Sequence, residues 1–260
     1  MDFAYAIAGA FVGFLVGLTG VGGGSLMAPI LILFFGFSPA VAIGSDLWFA
    51  AITKTVGGFM HRHFGSPNWR IAGILALGSL PAALATLFWL GHAQDGKLES
   101  DMLMKLLGVA LLMTAVLSPM KDRLQGWMRV ARVQLGPRLR SHQMLATVIG
   151  GAMVGCLVTL TSVGAGALVA VMLMFLYPLR LDTRSIVGTD IIHAVPLALV
   201  AAIGHTWFGN VDWALLLKLL IGSIPGIIVG SLVAGRINDG YVRIALSIML
   251  AVSGTKLLLS

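Results

Sequence analysis

The chain has 260 residues, 58% of them hydrophobic and only 10% charged, with a net charge of +7. A water-soluble domain carries about 25% charged residues, so this composition excludes an ordinary soluble domain and points to an integral membrane protein. The positive charge does not point to nucleic acid, because the Lys and Arg residues fall in short gaps between apolar runs, where they orient a membrane protein.

The start, MDFAYAIAGAFVGFLVG, has an acid where a signal peptide would be basic, and it reads as part of a first mature helix. About 20 apolar residues cross the hydrocarbon core. On that ruler the membrane elements lie at 3–36, 38–60, 69–91, 102–119, 142–178, 184–207, 212–234 and 240–259. Two of them, 3–36 and 142–178, are too long for one straight crossing. Each is interrupted by glycine, in LTGVGGGSL at 18–26 and in LTSVGAGAL at 160–168. Residues 120–141 hold six Lys or Arg and one Asp and read as a cytoplasmic linker, in part an interfacial helix. The single cysteine, Cys156, excludes an intrachain disulfide and reads as a small buried packing residue.

The interruptions open an internal repeat. At an offset of 142, Thr19, Gly22 and Gly24 fall on Thr161, Gly164 and Gly166. Downstream the offset is 144, which places Gly44 and Asp46 on Gly188 and Asp190, and His61, Gly65 and Trp69 on His205, Gly209 and Trp213. Gly78, Ser79 and Pro81 likewise fall on Gly222, Ser223 and Pro225. If each broken element enters and returns on one side, the halves are inverted, and twelve of the seventeen Lys and Arg lie in the cytoplasm. If each crosses once, Arg180, Arg184, Arg236 and Arg243 move outside. The positive-inside rule favours the inverted arrangement, a recurrent transporter design.

Backbone that leaves helical geometry inside a membrane is tolerated where it is buried in protein or lines a cavity. The expected binding residues are therefore Thr19, Gly22, Gly23, Gly24 and Ser25 in the first hinge, and Thr161, Gly164, Ala165 and Gly166 in the second. Free N–H groups at the helix starts there suit a small oxyanion; the plainer reading of the glycines is close helix packing. Asp46 and Asp190 fit either a hinge-fixing carboxylate accepting backbone N–H groups or a coupling role. Lys54 has Ala198 as its repeat equivalent and is the expected partner of an anionic substrate, or else an ion-pair partner of Asp46. His193, equivalent to Phe49, reads as a proton-coupling group or a satisfied core histidine. His61 and His205 read as interfacial caps, Lys218 as snorkelling, and Trp69, Trp89, Trp127, Trp207 and Trp213 as an aromatic belt.

The opening GFLVGLTGVGGGSLMAPILILFFGFSPAVAIGSDL and its counterpart TSVGAGALVAVMLMFLYPLRLDTRSIVGTDI resemble the two repeats of the TauE/SafE family of membrane transporters. The resemblance spans essentially the whole chain. It implies a bacterial-type inner-membrane exporter of sulfite or small organosulfonates. The family's motifs fall on Gly22, Gly23, Gly24, Ser25, Asp46, Gly164, Ala165, Gly166 and Asp190.

The expected fold is an all-α polytopic membrane protein of two inverted repeats, 1–119 and 142–260. Each has four membrane elements, the first a glycine-broken hairpin. The expected function is secondary transport of a small sulfur oxyanion by alternating access, with proton coupling open through Asp46, Asp190 or His193. A channel of the same fold, or carriage of another small anion, is the rival. No phosphate loop, metal cluster or nucleophile–base motif appears, so neither an enzyme nor a cofactor is expected. The expected partners are the small anion and the lipid bilayer, not nucleic acid; a homo-oligomer is compatible with the sequence.

Overall fold

The computed structural model describes residues 2–19, 23–60, 67–93, 100–135, 142–164, 166–178, 180–237 and 239–259. Among them are ten α-helices and no strand: α1 (Asp2–Thr19), α2 (Met27–Leu33), α3 (Pro39–Met60), α4 (Trp69–Ala93), α5 (Ser100–Leu135), α6 (Gln143–Thr161), α7 (Ala167–Leu176), α8 (Thr183–Trp207), α9 (Trp213–Val233) and α10 (Asp239–Leu259). Six segments within these helices are long and apolar enough to cross a membrane, at 69–92, 100–120, 143–161, 184–207, 213–233 and 240–259. The chain is a multi-pass membrane protein. The helix α3 has the length to cross but is not one of the six, because it carries Asp46 and Lys54 among its apolar residues. At 1.5 Å per residue α2 and α7 are about 10 Å and 15 Å long, roughly a third to a half of the hydrocarbon thickness.

Both glycine-broken segments leave helical geometry where expected. After α1, the 3₁₀ turn Gly23–Leu26 leads into α2. After α6, Ser162 takes a left-handed φ of 58°, Gly164 a φ of 117° and Gly166 a φ of 144° before α7 begins. Thr161 closes the end of α6: its hydroxyl donates to the Leu157 carbonyl at 2.7 Å and accepts the Val163 N–H at 3.2 Å. Segment 120–135, read from the sequence as linker, continues α5 without a break.

The halves are interlocked. The first helix of each lies along the fourth helix of the other: α1 on α9, and α6 on α4. Glycine makes the first contact possible, since a β-carbon on Gly13 would lie 2.3 Å from the Ser223 carbonyl oxygen. The register Gly9–Leu219, Gly13–Ser223, Gly17–Ile227 shows α1 and α9 running parallel; Leu75–Gly151 and Ser79–Gly155 show the same for α4 and α6. Equivalent helices run antiparallel to each other. In the α3–α8 pair, Trp48 Nε1 donates to Thr206 Oγ1 at 2.9 Å, whereas Gly58 meets Ile191. In the α5–α10 pair, Gly108 meets Leu258 and Leu112 meets Gly254.

The exchange extends to single hydrogen bonds. The Asn68 N–H donates to Thr189 Oγ1 at 2.9 Å, and the Asp212 N–H donates to Ser45 Oγ at 3.1 Å. These are repeat equivalents, and each N–H donor residue caps its own helix, Asn68 through Ile71 N–H and Asp212 through Leu215 N–H. A hydroxyl in the third helix of one half thus fixes the start of the fourth in the other. Two apolar cores form, and each draws on both halves.

Several single-residue expectations change. Cys156 is exposed on the outer face rather than buried. Lys218 Nζ lies over the Tyr5 ring, 5.9 Å from its centroid. His205 is buried, not interfacial. Trp69, Trp89, Trp207 and Trp213 are exposed, as an aromatic belt requires. Gly22, His61 and Ala165 lie outside the described residues, as does the side chain of Trp127.

Candidate functional site

A small cavity lies where the two halves meet. Its walls are Ser25 at the first hinge, Leu47, Ala50 and Lys54 on α3, Val158 near the end of α6, Ser162 at the second hinge, and Ala194 and Ala198 on α8. It has about 10 Å³ of space for water centres, room for one water molecule. The elements that reach it are those that the repeat pattern singles out: both hinges, and the equivalent helices α3 and α8. Alanine at 198, where the repeat would place a second lysine, gives Lys54 an apolar wall to lie against.

Charged groups gather beside this cavity. Lys54 Nζ is 3.6 Å from Asp190 Oδ2, an ion pair between the halves. Both aspartates are fully buried and Lys54 is 8% exposed. The ion pair expected within α3, between Lys54 and Asp46, is replaced by this one, because antiparallel packing of α3 on α8 brings Asp190 closer than eight residues along one helix can. Asp46 instead faces the Ser162 hydroxyl and the Ala28 N–H in the first turn of α2, without closing a hydrogen bond to either. It therefore stands between the two hinges. His193 is held by α4, its Nε2 2.7 Å from Ser79 Oγ.

Several of these groups have unmet hydrogen-bonding capacity. Both oxygens of Asp46 and of Asp190, Ser162 Oγ and His193 Nδ1 are buried with no hydrogen-bond partner among the described residues. Buried polar groups are normally satisfied, so their concentration around one cavity marks a site that handles polar or charged groups. No group of three or more metal-ligating side chains occurs among the described residues.

Not every expected residue reaches the cavity. The Thr19 hydroxyl donates to Leu15 within its own helix at 2.8 Å, and Thr161 is committed to its hinge as described. Gly23 and Gly24 form the 3₁₀ turn that presents Ser25, while Gly164 and Gly166 shape the second turn. Two site residues lacked a strong sequence signal. Ser79 was visible only as part of the repeated Gly-Ser-x-Pro, and Ser162 only as one residue of the second glycine break, LTSVGAGAL. His205 forms a second buried polar group: its Nε2–H donates to the Thr159 carbonyl at 2.9 Å, which leaves Nδ1 to accept from Asn210 Nδ2 at 3.4 Å.

Residues 5–257 match the family model described as Sulfite exporter TauE/SafE. Among similar proteins is "Probable membrane transporter protein YjnA" of Bacillus subtilis (strain 168), 36% identical over 263 residues that cover 99% of this chain and 100% of that one. Another is "Probable membrane transporter protein YdhB" of the same organism, 27% identical with 95% and 96% covered. A "Probable membrane transporter protein" of Xylella fastidiosa is 26% identical, with 88% of this chain and 84% of its own length covered. No solved structure matches the chain. With a match running from its first helix to its last, the chain belongs to the Sulfite exporter TauE/SafE family.

Proposed function

We propose that the protein is a secondary transporter that exports a small sulfur oxyanion, sulfite or an organosulfonate such as sulfoacetate, across a bacterial-type inner membrane. The observation that carries this reading is the convergence on one cavity of Ser25 and Ser162, a hydroxyl from each hinge, with Lys54. A cation with two hydroxyls suits a trigonal or tetrahedral oxyanion, because each oxygen finds a donor. A further monoanion beside Lys54, Asp46 and Asp190 would leave excess negative charge in a buried site, which is costly within a membrane. A proton carried with the anion keeps the charge balanced, and Asp46, Asp190 and His193 are the groups able to hold it.

In this reading the halves, 1–119 and 142–260, are inverted repeats joined by the cytoplasmic segment 120–141. The antiparallel packing of α3 on α8 and of α5 on α10 supports it, since repeats of one orientation would set equivalent helices parallel. The helix α9 follows α8 after a five-residue turn, so it runs against α8 and along α3. Helix α1, parallel to α9, then runs the same way as α3. The chain between them must return, which makes 3–36 a hairpin with α2 as its returning arm. The same steps through α4 and α8 make 142–178 a hairpin with α7 as its arm. Access alternates as α1, α2 and α9 rock against α4, α6 and α7, and the cavity between them opens to one side at a time.

Flux into proteoliposomes of the purified protein tests this. Sulfite, sulfate, sulfoacetate and acetate would be compared with and without a pH gradient. The expected result is saturable flux of a sulfur oxyanion that responds to the gradient and falls at least about tenfold in Lys54→Ala, the loss of one charge-assisted contact. Absence of flux for every anion would overturn the substrate class, and flux without saturation would favour a channel of the same fold.

A further inference from the structure

Asp46 and Asp190 are repeat equivalents, yet they face different neighbours. Asp46 is aimed at backbone and hydroxyl donors of the two hinges, which suits a latch. Asp190 faces Lys54, the cation that lines the cavity, and is not itself among the cavity walls. Their separation of 3.6 Å is longer than the 2.7–2.9 Å typical of a tight charge-assisted hydrogen bond. Both Asp190 oxygens lack any hydrogen-bond donor among the described residues. A buried ion pair kept for structure usually has its remaining lone pairs satisfied by further donors; among the described residues this one is held by Lys54 alone.

Resting on the transport reading above, we propose that Asp190 is an internal stand-in for the substrate: its carboxylate holds Lys54 until the anion displaces it, and the displaced carboxyl takes up a proton. The exchange balances. The Lys54–Asp190 ion pair is lost and a Lys54–sulfonate ion pair forms. Lys54 keeps its protons, and the proton gained by Asp190 comes from the aqueous side to which the site is open. Each anion bound thereby brings about one proton with it, and the site's net charge is unchanged. Among the described residues, the ion pair that Asp190 makes is with Lys54. From α3 it meets Lys54; on its own helix lies His193, tied to Ser79 of α4. The helices α6 and α7 contain no Asp, Glu, Lys, Arg or His.

The test is calorimetric binding of methanesulfonate to the purified full chain in detergent, in buffers of different ionisation enthalpy. Methanesulfonate remains a monoanion throughout, so any proton taken up belongs to the protein. The expected result is uptake of about one proton per anion, with affinity falling about tenfold per pH unit as pH rises through the coupled range. In Asp190→Asn the competitor is gone: uptake is expected to vanish and affinity at high pH to rise at least about tenfold. An infrared band of a protonated carboxyl should appear on adding methanesulfonate to the unaltered protein and be absent in Asp190→Asn. Should that variant fail to fold, Asp190→Glu, which keeps a carboxylate, is expected to retain uptake, whereas Asp101→Asn, at an exposed carboxylate of α5 away from the cavity, should leave it at about one.

Binding without proton uptake, or uptake that persists in Asp190→Asn, would overturn the proposal and leave the transport reading standing. Weaker binding in Asp190→Asn would overturn it too, by making Asp190 a positioning residue for Lys54. If neither protein binds methanesulfonate, sulfite or sulfate, the transport reading itself falls and takes this one with it.

Discussion

Lys54 and Asp190 depend on each other, and removing either alone leaves a charge buried. Lys54→Ala is therefore expected to destabilise the protein by about 3–5 kcal/mol, while the double variant Lys54→Ala with Asp190→Asn recovers most of that loss. Thermal unfolding would show the recovery, and flux would not return, separating the lysine's structural contribution from the role proposed for it toward the anion. At the second hinge, Gly166 has φ 144° and ψ −93° as the residue before α7, a region that side chains with a β-carbon rarely enter. Gly166→Ala should cost about 1–3 kcal/mol, against less than about 0.5 kcal/mol for Gly73→Ala on the outer face of α4, where a β-carbon meets nothing within 4 Å. Asp182, outside the spans, caps α8 by accepting the Ser185 N–H at 3.0 Å. The Ser185 side chain and backbone hold its carboxyl below the usual carboxylate value. A depressed folded value means that this cap contributes above the ordinary carboxylate range and is lost as pH falls through it. Asp182→Ala should therefore lower the melting temperature at neutral pH and converge with the unaltered protein in acid.

Helix ends were largely legible in the sequence, because the hydrocarbon thickness sets the length, and in the structure Asn68 and Asp212 cap the starts of α4 and α9. Hydropathy stops at residue 119, whereas α5 continues to Leu135. Its Lys, Arg, Leu and Met residues keep helix propensity high, and after Pro119 the next Gly-Pro pair is at 136–137. Thus the span's end was readable from polarity but the helix's end was not. Close packing of α1 on α9 was foreseen only as a general use of glycine. In place, a β-carbon on Gly222 would sit 1.8 Å from the Ala6 carbonyl oxygen. Gly222→Val should force the two helices apart, costing about 1–3 kcal/mol or more, measured as a lower melting temperature with the secondary structure retained.

Interlocking governs the molecule as a whole. Each apolar core combines helices from both halves, and the two third helices hold the opposite fourth helices through Ser45 and Thr189. Neither half can bury its own glycine stripes or polar groups. Expressed separately, segments 1–141 and 142–260 are expected to be degraded or aggregated, while co-expression should restore a protease-resistant complex. A stable, monodisperse single half would contradict this arrangement.

The sequence by itself determined the membrane class, the glycine breaks, the repeat and the presence of Asp46, Lys54, Asp190 and His193 within apolar segments. Each of these follows from local composition or from identities at a fixed offset. Only the tertiary structure decided that Lys54 pairs with Asp190 rather than Asp46, that Asp46 faces both hinges, that His193 meets Ser79, and that His205 is interior. Those outcomes depend on the direction and register in which distant helices pack, and in a membrane these are set by backbone approach at small residues and by single polar contacts. Hydropathy records how far a helix extends through lipid, but not which of its faces meets a partner.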